Sequence, residues 1–147
     1  MAFVEQLQDK IRARLVVVSE VHGLVDAIQL LHAGTDMIIV CDKAGALSGV
    51  LTKTDVVQFL ANHEHLGRET QVASAMERNV LTCTAEDELH AICKRMRDRD
   101  FKNVPVLGSA GKPIGILTAR DALALLLEET EDAESLLRDY VMGVGYR

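Results

Sequence analysis

Tryptophan is missing from the 147-residue chain, and aromatic residues make up only 3% of it. The core must therefore be aliphatic. The scarcity of rings also argues against stacking platforms for single-stranded nucleic acid, which need exposed aromatics. Net positive charge is missing too: Lys and Arg number 16, Asp and Glu 22, for a net charge of −6. The acid is concentrated. Residues 128–139 hold six carboxylates (Glu128, Glu129, Glu131, Asp132, Glu134, Asp139) against Arg138 alone, so the remainder carries only −1. Sequence-independent nucleic-acid binding needs a basic surface. The one basic run, Lys94, Arg95, Arg97, Arg99 and Lys102, is interrupted by Asp98 and Asp100 and reads as a solvated helix end. Nucleic acid is not an expected partner.

Cysteine is scarce and odd in number: Cys41, Cys83 and Cys93, with no C-x-x-C pair. That excludes a disulfide framework or zinc knuckle as the organising principle. Cys41 and Cys93 lie in apolar runs and read as small core residues. No apolar run approaches the roughly 18 residues of a membrane span. Glu5, Asp9 and Lys10 come too early for a secretory signal. A reduced, cytoplasmic location without membrane contact is expected. The 48% hydrophobic and 26% charged composition fits one compact domain, or two small units sharing a core.

What is present is a repeat. Residues 49–56 read GVLTKTDV and residues 115–122 read GILTARDA, identical at Gly, Leu, Thr and Asp with an offset of 66. Ala44-Gly45 matches Ala110-Gly111, and Val40 matches Val106, at the same offset. Further back, an offset of 64 aligns Ala27-Ile28 with Ala91-Ile92. Each unit reads β-α-β-β-α. A β-branched run (15–18; 80–82) precedes a helix whose apolar face is Leu24, Ile28 and Leu31, or Leu89, Ile92, Cys93 and Met96. A buried strand follows (37–40; 104–107). A turn at Gly45 or Gly111 leads to a third strand (47–51; 114–117), and a last helix begins after Thr52 or Thr118. The division is an N-terminal helix (1–14) with Phe3, Val4, Leu7 and Ile11 on one face, a first repeat (15–62), a polar linker (63–78), a second repeat (79–128) and an acidic C-terminal helix with a tail (129–147). A unit of about 50 residues buries too little alone, so the two must pack together.

The repeated segment, G-h-h-T-x-x-D with h apolar, sits at a strand-to-helix junction. Thr is a good N-cap and Asp falls at N3, so a capping box is one reading. The same geometry suits a nucleotide. A helix N-terminus attracts phosphate, Thr52 or Thr118 can bond a phosphate oxygen, and Asp55 or Asp121 can accept both hydroxyls of a ribose. Arg120 adds a phosphate partner in the second copy, where the first has neutral Thr54.

Two such units, with Met76-Glu77-Arg78-Asn79-Val80 before the second and Asn103-Val104-Pro105-Val106 on its middle strand, resemble a tandem cystathionine-β-synthase (CBS) domain pair over about residues 1–128. The resemblance implies an α/β fold of two stacked repeats with pseudo-two-fold symmetry. It further implies clefts between the repeats for AMP, ADP, ATP, NAD or S-adenosylmethionine. By resemblance, the second-unit site is Val80, Leu81, Thr82, Asn103, Val104, Pro105, Thr118, Arg120 and Asp121. The first-unit site is Val16, Val17, Val18, Ile38, Ile39, Thr52, Thr54 and Asp55. Ile39 and Thr54 depart from the Pro and Arg of the second copy, so the second-unit site is expected to bind anionic nucleotides better.

No Ser/His/Asp or Cys/His constellation stands out, and His63-x-His65 lacks a third ligand for a metal. The expected function is therefore sensing rather than catalysis: an adenosyl ligand binds and the output acts in trans on a partner. The alternative is a ligand-free dimerisation or protein-interaction module. A homodimer formed through the apolar helices is expected, with Tyr140, Met142 and Tyr146 of the tail docking on a partner subunit.

Overall fold

The computed structural model describes residues 1–63 and 65–142, and for 132–137 and 139–142 it describes the backbone alone. Each repeat is built on a three-stranded mixed sheet. In the first, β1 (Val17–Ser19) runs parallel to β2 (Ile38–Cys41), which pairs antiparallel with β3 (Leu47–Leu51). In the second, β4 (Cys83–Thr84), β5 (Asn103–Leu107) and β6 (Pro113–Thr118) repeat that order. A parallel pair needs a crossover. It is supplied by α2 (Leu24–His32) and α4 (Leu89–Asp98). Both middle strands carry a bulge at the same place, Val40/Cys41 and Val106/Leu107. This α/β architecture is the one expected, with two differences in register.

The first concerns the crossover helices. Leu24, Ala27 and Leu31 are buried on α2, and Leu89, Ile92 and Met96 on α4. Their offset is 65, not the 64 that matching Ala-Ile to Ala-Ile gives, because core-facing positions rather than identities define equivalence. The return to 66 falls at the helix ends. The second helix has 10 residues to the first's 9, and each is followed by one left-handed residue, Gly34 at φ 120° or Asp100 at φ 57°. The second difference is the expected strand at 80–82, which begins only at Cys83. The Ile39 N–H donates to the Val16 carbonyl at 2.8 Å. Pro105 occupies the equivalent of Ile39 and has no N–H, so the second ladder starts later.

A 3-10 turn (Val4–Leu7) leads into α1 (Gln8–Ala13). Ala2, Val4, Leu7 and Ile11 pack into the core of the second repeat, with Leu89, Ile92 and Leu117. Phe3, expected on that face, is instead 36% exposed. The segment between the repeats does the same for the first: Val72 and Met76 join Leu24, Ile38 and Leu51. The two attachments match bond for bond. Leu89 N–H donates to Ala2 O (2.9 Å) as Leu24 N–H does to Thr70 O (2.8 Å), and Val4 N–H to Asp87 O (3.0 Å) as Val72 N–H does to His22 O (2.8 Å). A third cluster joins the sheets: Met37, Ile39, Cys41, Val50 and Ile116, with Leu15, Leu47 and Val80 against it. Each repeat ends in a helix, α3 (Lys53–Asn62) or α5 (Ala119–Met142). The second repeat's last helix and the acidic helix, read as separate around residue 129, are one helix of 24 residues. Nothing breaks it, since no Gly or Pro lies within 119–142.

The motif glycines are explained by these crossing segments. A Cβ at Gly115 would collide with the Ile11 side chain and carbonyl, and one at Gly49 would lie 2.6 Å from the Glu77 carbonyl oxygen. Backbone cannot retreat as a flexible side chain can. Gly115→Ala and Gly49→Ala should each lower stability by about 1–3 kcal/mol in urea denaturation, the range of overpacking substitutions.

Candidate functional site

Thr52 and Thr118 stand at the N-termini of α3 and α5, yet their aspartates do different work. In the first motif the Asp55 carboxylate turns back on its own cap. It accepts the Thr52 N–H at 2.8 Å and the Thr52 hydroxyl at 2.9 Å, while the Asp55 N–H reaches Thr52 Oγ1 at 3.4 Å. This is a closed capping box. Burial pushes the Asp55 carboxyl above the usual carboxylate range, against the two Thr52 bonds, and the nearby Glu77 carboxylate pushes the same way.

In the second motif the Asp121 N–H donates to Thr118 Oγ1 at 3.0 Å and the Thr118 side chain supports the carboxylate, but the main partner of the carboxylate is not its own cap. It takes a two-pronged bond from Arg14, Nε to Oδ2 at 2.8 Å and Nη2 to Oδ1 at 3.2 Å. The Asp121 side chain is 9% exposed and that of Arg14 is 41% exposed. Arg14 holds the carboxyl below the usual range; burial opposes this, while the Thr118 bond and Lys10 assist. The difference arises in the crossing segments. Helix α1 packs on β6 and delivers Arg14 at its C-terminal cap, whereas the segment before the second repeat bridges to β3 through Val50 and delivers Glu77.

Beside this pair lies a cavity of about 230 Å³ between the two repeats. Ala13, Arg14 and Val16 form one wall, the loop Gly34, Thr35, Asp36 and Met37 a second, and Asn103, Ile116 and Thr118 of the second repeat a third. Met37 and Ile116 belong to the apolar cluster between the sheets. An apolar floor, a hydroxyl, an amide and a guanidinium thus converge on one space. Such a set suits a ligand with a flat apolar part and a polar or anionic part.

Of the residues expected at the second-unit site, Asn103 and Thr118 line this cavity, with Asp121 behind Arg14. Val16, grouped by sequence with the first-unit motif, lines it as well. The others are dispersed. Leu81 and Val104 are in the second core, Val80 packs on the inter-sheet cluster, Pro105 is buried in β5, Thr82 is half-buried and Arg120 is exposed. In the first repeat, Val18 and Ile38 are core, Ile39 lies between the sheets, Val17 and Thr54 are exposed, and Thr52 is half-buried. Sequence reading missed Arg14, Thr35 and Asp36. Arg14 lies outside both repeats, so matching one copy to the other cannot find it. Thr35 and Asp36 carry the signal of polar residues directly before a buried strand.

Elsewhere, His63 stacks on Phe59 with ring centroids 4.1 Å apart and its Nδ1 lies 2.9 Å from the Phe59 carbonyl oxygen. Glu64, Tyr146 and the side chains of Tyr140 and Met142 lie outside the described residues. No helix among the described residues is long and apolar enough to cross a membrane.

The CBS domain family model matches the chain twice, over residues 4–62 and 72–128. The chain belongs to the CBS domain family. The magnesium transporter MgtE of Thermus thermophilus is 32% identical to it over 100 residues, 67% of this chain and 21% of the transporter. This CBS pair spans less than a quarter of the length of the first curated relatives it matches. The solved structures that share the fold include three complexes. CBSX2 in complex with AMP is 23% identical, with a TM-score of 0.72 over 88% of this chain and 99% of that one. The CBS domain pair of MJ0100, in complex with 5′-methylthioadenosine and S-adenosyl-L-methionine, is 19% identical, with a TM-score of 0.71 over 88% and 98%. The cytosolic domain of the Mg²⁺ channel MgtE in complex with ATP is 26% identical, with a TM-score of 0.63 over 76% and 45%. Each of these three structures holds an adenosyl ligand.

The two CBS aspartates should respond oppositely to acid. Asp121, depressed in the fold, contributes stability that is complete above its unfolded range and is lost as pH falls through its folded value. Asp55, raised in the fold, makes its contribution when protonated and loses it as pH rises through its folded value. Asp121→Asn should cost about 1 kcal/mol at neutral pH, because its partner is half-exposed. That deficit should shrink at an acid pH below the usual carboxylate range, as pH falls through the lowered folded value of Asp121. Asp55→Asn, which keeps an acceptor for the Thr52 N–H, should be within about 0.5 kcal/mol of wild type at neutral pH. Urea denaturation of both variants at the two pH values checks this.

Proposed function

We propose that this chain is a regulatory module that senses an adenosyl ligand at the cavity between its repeats and acts in trans on a partner protein. The observation that carries the reading is the second-repeat motif. Its Thr118 lines an inter-repeat cavity, and both oxygens of its buried Asp121 carboxylate are held by Arg14 at that cavity's wall. An aspartate serving only as a cap would bond as Asp55 does. The adenosyl complexes of proteins with this fold support the ligand class. Asp121 would hold the ribose, and Thr118 with the N-terminus of α5 would face phosphate. AMP, ADP, ATP, NAD and S-adenosylmethionine remain the ligand set. The first-repeat motif, with Asp55 committed to its cap and Glu77 beside it, is the weaker site. In this reading the chain regulates and does not catalyse.

The same reading includes a homodimer. Val57 and Leu60 on α3 are 64% and 48% exposed, and Leu123 and Leu127 on α5 are 57% and 59% exposed. Apolar side chains left bare on the last helix of each repeat suit a second copy of the module.

Thermal denaturation with each of the five ligands tests the sensing function. A ligand at about 100 times its dissociation constant stabilises by roughly 2.7 kcal/mol, a rise of several degrees at this length. Asp121→Ala should abolish the rise and Asp55→Ala should retain it. No rise with any ligand would leave the protein-interaction module as the function. For the dimer, sedimentation velocity should show a two-chain species that Leu123→Glu combined with Leu127→Glu converts to one chain.

A further inference from the structure

Arg14 holds both oxygens of Asp121, at 2.8 and 3.2 Å. A ribose diol bound by Asp121 needs those same oxygens, so ligand and Arg14 compete for one carboxylate. Arg14 can yield. It caps α1, its side chain is 41% exposed, and it lines the cavity together with Thr118 and Asp36. Its side chain can turn without moving the helix, which is held by Ile11 against Gly115. Asp121 cannot yield in the same way, being 9% exposed on the first turn of α5. The cavity of about 230 Å³ is also small for a nucleotide, so the side chain on its wall must move for one to enter.

We propose that Arg14 is a specificity-determining latch: it closes Asp121 in the ligand-free protein and is released by adenosyl ligands that bring a phosphate for it to bind. The latch rests on the adenosyl-ligand reading above. Every ligand that uses Asp121 breaks the ion pair. A phosphate returns a two-pronged anionic partner to the guanidinium. An uncharged 5′ group returns nothing, and a sulfonium places a like charge beside it. Asp36, the other carboxylate acting on Arg14, is exposed at the cavity rim and compensates little. Lys10, which also acts on Asp121, favours an anion further. The latch therefore converts one ion pair into discrimination by ligand charge.

Calorimetric titration of AMP and adenosine into wild type, Arg14→Gln and Arg14→Lys tests this. Wild type should prefer AMP over adenosine. Arg14→Gln should bind adenosine more tightly and AMP no more tightly, so that the preference falls by about tenfold. Arg14→Lys, which keeps the charge, should retain most of the preference. A purely structural Arg14 would move both affinities together. An unchanged preference in Arg14→Gln, with both ligands still bound, overturns the latch and leaves the adenosyl reading intact. Absence of binding of either ligand to wild type and Arg14→Gln overturns both. Binding of adenosine only after Arg14→Gln supports both.

Discussion

Each repeat borrows the segment that precedes the other repeat in the chain to finish its core, and the close approach of that segment to the motif strand is the constraint on which the rest depends. Residues 2–11 close the second repeat, and residues 70–77 close the first. At each crossing, backbone passes so near the third strand that only glycine fits, at Gly115 under Ile11 and Gly49 under Glu77. The pairing of the two sheets through Ile39, Val50 and Ile116 then follows, and with it the cavity at their boundary. The motif glycine is thus first a packing residue, and its place beside a ligand site is a consequence of where the crossing falls.

The crossing also makes two similar motifs unlike. In both motifs the threonine accepts from the aspartate N–H. What differs is the side chain that the crossing segment brings within reach. Next to Asp55 it is Glu77, and burial beside a like charge favours closure of the carboxylate on its own cap. Next to Asp121 it is Arg14, and a guanidinium draws the carboxylate outward. An acid committed to a cap stabilises a helix. An acid held by a half-exposed arginine at a cavity wall can change partners.

Much of the fold was legible because it rests on pattern. The offset of 66 between the two G-h-h-T-x-x-D segments survives unchanged in the pairing of β2 with β3 and of β5 with β6. The shift to 65 in the crossover helices is masked in the sequence, because Ala27 and Ala91 look alike but only Ala27 is buried in a core, its structural equivalent being Ile92. The short β4 was hidden behind Pro105, whose missing N–H acts on a strand more than 20 residues away in sequence. The candidate cavity was half legible. Asn103 and Thr118 lie in the repeat and could be found by it, while Arg14 lies in a unique helix and could not.

The two units, their β-α-β-β-α order, the aliphatic core and the places of Thr52, Asp55, Thr118 and Asp121 at helix starts follow from the chain read locally, because periodicity, capping chemistry and internal repetition are local. Long-range packing sets which aspartate closes on its cap and which meets an arginine, brings Val16 onto a wall with Thr118, and lets residues 2–11 and 70–77 exchange roles between the repeats. Those outcomes depend on distant contacts such as that of Arg14 with Asp121, 107 positions apart, and nothing in a side chain's immediate neighbours along the chain encodes the charge that packing will place beside it.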